Sequence, residues 1–325
     1  MSPAATAPAT RWAPALALLL AALAAPPAHA QAVEKVRVSM PTRNLLMWPV
    51  IMANETGIYR GEGLEVEIAI VRSDLVPAAL TAGDLDYTLN AETVIRAAHK
   101  GLPVRTLMSI GARPTLSLIV RPEIASGKDL KGKAIAVSAR GSITALIAQA
   151  AARSFGLDPD RDITIMGVGD QQTRLQTMSA GSAAGAVLDP PLDVIAISRG
   201  FKRLVWGRDL LEIPQLGLGT STRKIQERPD QVQRMVRATL RGLLYVTTHR
   251  KETVDSLAKE YKLDRALAEA SYEAVLGSFS KDGSPSAASI RNLLLAETRG
   301  DGEIAVENVV ERRFLEQAQR ELGLK

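Results

Sequence analysis

The segment "SARGSIT", residues 138–144, concentrates groups suited to holding a polar ligand. It follows the apolar run "AIAV" and opens a long helical pattern, "SITALIAQAAARSFG". A helix start offers free backbone N–H groups and the positive end of the helix dipole, which together attract anions. Arg140 would add a charge-assisted bond, and Ser142 and Thr144 add hydroxyls. Ser138, Arg140, Gly141, Ser142 and Thr144 are therefore candidate ligand contacts. The competing reading makes Ser142 a helix cap and leaves Arg140 in solvent. In "SMPTRN" (39–44) a strand pattern ends, so Pro41, Thr42 and Asn44 are expected to face a cleft. Trp48 supplies either an aromatic wall or a core side chain, since its ring is amphipathic. Asn90, at a strand end and helix start, serves as N-cap, ligand contact or both. Glu92 meets a ligand amine or favours the helix N-terminus. Asp189 in "DPP" reads mainly as a cap before a proline-started helix, although it too sits at a strand end.

Catalytic patterns are missing by comparison. The chain has no cysteine, which removes thiol catalysis, disulfides, a lipid-anchored N-terminus and thiolate metal sites. Past residue 30 the histidines are His99 and His249, far apart and without local partners for a metal site or a Ser/His triad. "GKDLKGKA" (127–134) nearly fits a phosphate-binding loop, but Ala134 stands where a hydroxyl must reach Mg²⁺, and a strand follows instead of a helix. "GVGDQQ" (167–172) lacks the third dinucleotide glycine and reads as a strand-end turn. "GSITA" departs from G-x-S-x-G. No cofactor, metal or catalytic group is expected.

The elements that must position the candidates alternate. Strand patterns at 36–40, "LEVEIAIV", 85–90 and "VRTLMSIG" are separated by helical patterns, and the grammar restarts after "TLSLIVRPE" (115–123) with "AIAVS", "ITIMGV", "AGAVLD" and "FKRLVW". Such alternation predicts parallel strands covered by helices. From Pro229 onward the patterns are helical, ending in "AVENVVERRFLEQAQRELG". Two α/β blocks and a helical tail predict two lobes, with crossings near 112–118 and "IPQLGLGTS" (213–221). Ligands in open α/β sheets bind at the carboxyl ends of strands, so a cleft between the lobes is the expected site, and paired crossings form a hinge.

The first 30 residues carry Arg11, the apolar run "APALALLLAALAA" and a small-x-small end, which predicts a secretory signal cleaved after Ala30. The apolar run is short against the ~20 residues of a bilayer span, and no later segment reads as one. The chain has 325 residues, a length for about two domains, and a formal charge of +5; loss of Arg11 and no acid gives 5 − 1 = +4 after cleavage. The basic residues are dispersed and aromatics few, which argues against nucleic-acid binding.

Five segments in order, "WPVIMANETGIYRGEGLEVEI", "LTAGDLDYTLN", "KGLPVRTLMSIG", "DLKGKAIAVSARGS" and "ERPDQVQRMVRATLRGL", resemble the nitrate/sulfonate/taurine and thiamine-precursor group (NMT1/THI5-like) of ABC-transporter solute-binding proteins. The resemblance covers the chain beyond the leader. It implies an α/β, two-lobed periplasmic binding fold of type 2, the Venus-flytrap kind. The expected layout is signal 1–30, first lobe 31–116 and 216–325, and second lobe 117–215, with the helical tail packed on the first lobe. It also implies a periplasmic, monomeric, non-enzymatic protein that captures a small anionic or polar organic molecule, sulfonate- or carboxylate-like, and passes it to an inner-membrane ABC permease. A ligand sensor docking on a membrane receptor is the alternative; an enzyme related to pyrimidine synthases would need a cysteine-rich motif that is absent. One departure stands out: Ala184 occupies the place of an Asp in the family's Gly-x-x-Asp-Ala segment.

Overall fold

Glutamates alternating with aliphatic residues produce a strand with one dry face, β2 (Leu64–Ile70), in which Leu64 and Val66 are buried while Glu65 and Glu67 are exposed. The computed structural model describes Met1 and residues 33–40, 44–295 and 305–324. The leader segment, Pro41 and Thr42 lie outside the described residues.

Strands β1 (Glu34–Met40), β2, β3 (Tyr87–Thr88), β4 (Val104–Gly111) and β10 (Leu216–Ser221) form one sheet, in the order β2-β1-β3-β10-β4. The other sheet has the order β7-β6-β8-β5-β9 and is built from β5 (Ser117–Val120), β6 (Lys133–Val137), β7 (Ile163–Gly167), β8 (Gly185–Leu188) and β9 (Lys202–Trp206). Neither sheet is purely parallel, as the alternation had predicted. β1 runs parallel to β2 and β3, and β6 to β7 and β8, but β10 is antiparallel to β3 and β4 and β5 is antiparallel to β8 and β9. The odd strand in each sheet is the one by which the chain arrives from the other sheet, and no helix separates it from the preceding crossing by a full βαβ unit.

Helices cover both faces of each sheet. The Pro229–Thr248 helix packs Met235, Val236, Leu240 and Leu243 into the same cluster as Val36, Val38 and Trp48. The opposite face holds Leu80, Ile95, Val104, Ile290 and Leu293. The helical tail therefore belongs to the first sheet. In the second sheet the Ile143–Ser154 helix buries Ala145, Ala148, Ala151 and Ala152 against one face, small side chains that let it lie close.

Three local expectations need correction. The helical pattern between the first two strands is interrupted: the helix from Trp48 ends at Glu55, Gly57 takes φ 75°, and a short helix follows at Ile58–Gly61. "LGLGTS", read as crossing, is β10. The last helix, expected to begin at Ala305, starts at Arg313. Before it, Thr106 N donates to Val309 O at 3.0 Å and Val310 bridges Thr106, so this stretch occupies the outer edge of β4. An edge strand's unpaired groups are satisfied that way.

Candidate functional site

Every parallel strand that ends between the sheets sends residues to one cavity of about 480 Å³. From the first sheet come Asn44 after β1, Ser73 after β2, and Asn90, Glu92, Thr93 and Arg96 after β3. From the second come Ser138, Ser142 and Thr144 after β6, then Asp170, Gln171 and Arg174 after β7, and Asp189 after β8. The crossings close the back with Leu116, Gln215 and Leu216. The volume suits a small organic molecule, and the placement is the one open α/β sheets give a ligand.

Three helices begin here, at Ala91, Ile143 and Gln171, and direct their positive ends at the cavity. Ser142 Oγ accepts from Ala145 N at 3.3 Å and Asp170 Oδ1 from Thr173 N at 3.0 Å. These caps consume part of the donor capacity that an anion would otherwise find. The hydroxyls of Ser138, Ser142 and Thr144 bond one another, with Thr144 Oγ1 2.9 Å from Ser138 Oγ and 2.7 Å from Ser142 Oγ.

Asn90 differs from the N-cap expectation: its side chain makes no capping bond and its Nδ2 donates to Ser73 Oγ at 2.8 Å across the cavity wall. Asp189 is not a cap either. The following helix starts at Leu192, and the Asp189 carboxylate takes a bond from Thr115 Oγ1 at 2.6 Å and a long one from Gln215 Nε2 at 3.5 Å. Thr115 N in turn donates to Gln215 Oε1 at 2.7 Å. A carboxylate on the cavity wall is thus tied to both crossings. Burial pushes its carboxyl above the ordinary aspartate range, while the Thr115 bond and the Arg174 charge pull it back down. Arg174 is only 5% exposed. Burial lowers its affinity for the proton, against the attraction of Asp189 and Asp170. Its Nη1 donates to Gly169 O at 3.1 Å, and its Nε is buried without a hydrogen-bond partner.

Seven candidates from the sequence share this cavity: Asn44, Asn90, Glu92, Ser138, Ser142, Thr144 and Asp189. Arg140 and Gly141 do not. Gly141 turns the chain with φ 78°, and both residues line a separate depression with Gln149 and Asp160. Trp48 is 1% exposed, stacks on Tyr261 with 5.5 Å between ring centres and donates Nε1–H to Ser256 Oγ at 3.2 Å. It is a core residue, because the Trp48–Glu55 helix is enclosed between β1 and the C-terminal helices. The groups that reasoning from sequence missed are Ser73, Thr93, Arg96, Asp170, Gln171, Arg174 and Gln215. The "GVGDQQ" turn held a usable signal, since it too joins a strand end to a capped helix.

Residues 44–253 match the NMT1/THI5 like family. A riboflavin-binding protein, RibY, of Chloroflexus aurantiacus is 26% identical over 242 residues, 71% of this chain and 68% of that protein. The solved structure of a putative sulfonate ABC transporter's periplasmic sulfonate-binding protein, SsuA, from Methylobacillus flagellatus superposes with a TM-score of 0.69 at 19% identity, covering 91% of this chain and 96% of that one. The desulfurization enzyme DSZB has the same fold with a TM-score of 0.63 at 17% identity, covering 89% of this chain and 99% of its own. Two mixed α/β layers with a helical C-terminal region are the architecture these structures share with the chain, that of periplasmic binding proteins.

Proposed function

The chain belongs to the NMT1/THI5-like family, and on that premise we propose that it is an exported solute-binding protein that takes a small polar organic molecule between two lobes and delivers it to an ABC permease of the inner membrane. The observation that carries this reading is the cavity itself, bounded by strand ends of both sheets and by both crossings. In this reading residues 1–30 are a signal removed at export, the first lobe is 31–116 with 216–325, and the second is 117–215. Sheet membership supports those bounds, since β4 and β10 lie in the first sheet and β5 through β9 in the second. The protein acts as a monomer, and binding is reversible.

The lining argues for a polar ligand with more than one kind of hydrogen-bonding group. Among the described lining residues, Glu92, Asp170 and Asp189 set three carboxylates against the two guanidiniums of Arg96 and Arg174. A sulfonate or carboxylate, the ligand expected from Arg140, would find the three helix starts favourable and the carboxylates unfavourable. The relatives' ligands span both possibilities: riboflavin for RibY and a sulfonate for SsuA.

Likeness to DSZB keeps an enzyme in view. The cavity offers hydroxyls at Ser138, Ser142 and Thr144, but no histidine lines it and the chain has no cysteine. An activated nucleophile needs an adjacent base, a lowered pKa or a metal, and the hydroxyls here bond one another instead of a carboxylate, so binding is the better reading.

The test is a thermal-shift screen of the mature protein, starting at Gln31, over riboflavin, pyrimidines, alkanesulfonates, carboxylates and nitrate. A ligand bound only by the folded state at a hundred times its Kd adds about 2.7 kcal/mol and raises Tm. Small-angle scattering at saturation should then give a smaller radius of gyration. A flat response across every class would reject solute binding; a Tm shift with no compaction would reject closure.

A further inference from the structure

Two groups on the cavity wall are deeply buried and yet incompletely bonded. Asp189 is 6% exposed and Arg174 is 5% exposed. Thr115 and Gln215 both address Oδ1 of Asp189, which leaves Oδ2 with no hydrogen-bond partner among the described residues. The Nε of Arg174 is likewise unpartnered. The two side chains feel each other's charge but form no ion pair. A guanidinium and a carboxylate that line one cavity without closing on each other offer it both a donor and an acceptor. Arg174 Nε is buried with no partner, and a buried donor left unmade on a charged group is costly. A ligand acceptor at the guanidinium offsets that cost, while Asp189 Oδ2 stays open to a ligand donor.

We infer that Arg174 and Asp189 together read an acceptor–donor edge on the ligand, an amide, lactam or imide whose C=O meets Arg174 and whose N–H meets Asp189. This inference rests on the solute-binding reading and deepens it by naming the ligand's chemistry. An oxoanion satisfies Arg174 alone and brings negative charge against Asp189. An amine satisfies Asp189 alone. A cyclic amide edge is neutral and serves both, and a site built to bond an N–H rejects an analogue that lacks it. Thr115 sharpens the selection. Its hydroxyl lies 2.6 Å from Oδ1 and 3.2 Å from Gln215 Oε1, so the shorter contact takes the proton and orients the carboxylate.

That fixed orientation supplies the test. In Asp189→Asn, Thr115 and Gln215 hold the amide oxygen at the Oδ1 position and turn the NH2 group toward the cavity. The acceptor becomes a donor at one atom. Ligand-observed NMR at millimolar concentration, with uracil, glutarimide and 2-piperidone as amide probes and ethanesulfonate and propionate as oxoanion probes, reads the consequence. The parent should bind the amide probes. Asp189→Asn should bind them about tenfold less tightly or worse while binding ethanesulfonate more tightly than the parent does. Arg174→Gln should weaken the amide probes without the gain for ethanesulfonate. Circular dichroism of each empty variant confirms that it is folded. Oxoanions binding the parent while amide probes are silent would overturn the inference and leave solute binding standing, as would amide binding that is equal in the parent and both variants. Silence of every probe, together with a flat thermal-shift screen, would remove both readings.

Discussion

Thr115→Val deletes one hydroxyl and keeps the side chain's shape, so it removes the bond that ties Asp189 to the first crossing together with the longer 3.2 Å approach of the same hydroxyl to Gln215 Oε1. Thr115 is 1% exposed, and its Oγ1 lies 2.6 Å from Asp189 Oδ1. After the change that oxygen retains only the 3.5 Å approach of Gln215. A hydrogen bond to an ionised partner contributes about 1.5–3 kcal/mol, and one between neutral groups about 0.5–1.5 kcal/mol. The loss should therefore depend on pH. Burial holds the folded-state carboxyl of Asp189 above the ordinary value, the Thr115 bond and Arg174 lower it, and the Asp193 charge raises it. A group with a raised folded-state pKa binds more protons folded than unfolded, so its contribution to stability falls as pH rises from the unfolded value through the folded one. Removing Thr115 raises that pKa further and steepens the fall. Urea unfolding of the empty protein at several pH values between 4 and 8 measures it. The difference between parent and variant should be about 1 kcal/mol where Asp189 is protonated and about 2–3 kcal/mol where it is ionised, with the m-value unchanged. A loss below about 0.5 kcal/mol at the upper end, or one that does not grow with pH, would refute the bond's charge-assisted character.

Gly242→Ala should destabilise the protein although it improves helix propensity: a Cβ there would stand 2.2 Å from Pro49 O and 2.8 Å from Ala53 Cβ, where backbone cannot yield. Against a propensity gain of about 1 kcal/mol stands an overpacking cost of about 1–3 kcal/mol or more, so urea unfolding should show a net loss; unchanged or increased stability would show that the two helices can separate freely. Arg140→Ala should leave the affinity for whichever ligand the screen identifies within about twofold by calorimetry, since Arg140 lines a different depression. A tenfold loss would return Arg140 to the site.

Elements with local patterns were legible from residues alone. The alternating glutamates of β2 and the helix-spaced apolar residues of Pro229–Thr248 each reveal which face is dry. β10 was not legible, because Gly217 and Gly219 mimic a turn. Their glycines answer to neighbours instead: a Cβ at Gly217 would meet Met108 O at 2.3 Å, and one at Gly219 would meet Val94 at 2.8 Å. Strand-end reasoning found half of the polar residues on the cavity wall. It misplaced Arg140 because it could not see on which side of Gly141 the chain turns. It took Asp189 for a cap because the partners that define its role, Thr115 and Gln215, are 74 and 26 residues away. Arg174 was hidden by its setting on a polar helix that shows little apolar periodicity, where arginine normally means solvent.

The double crossing also orders events in time. The second sheet is a contiguous piece of chain, whereas the first needs Leu216 to pair with Gly111. Closing so long a stretch of unfolded chain carries an entropy cost that grows with its length. Yet Ser117 and Trp206, the two ends of the second sheet, are themselves paired. Once β5 through β9 have folded, the ends of β4 and β10 are held near each other, and only the short crossings remain to be ordered. Pulse-labelled hydrogen exchange should show β5–β9 amides protected before those of β10; simultaneous protection would contradict this order. Until the Pro229–Thr248 helix and those after it emerge, β1 to β3 and the Trp48–Glu55 helix lack the C-terminal part of the cluster around Val36, Val38 and Tyr87, which makes the newly made first sheet the stage of synthesis most exposed to aggregation.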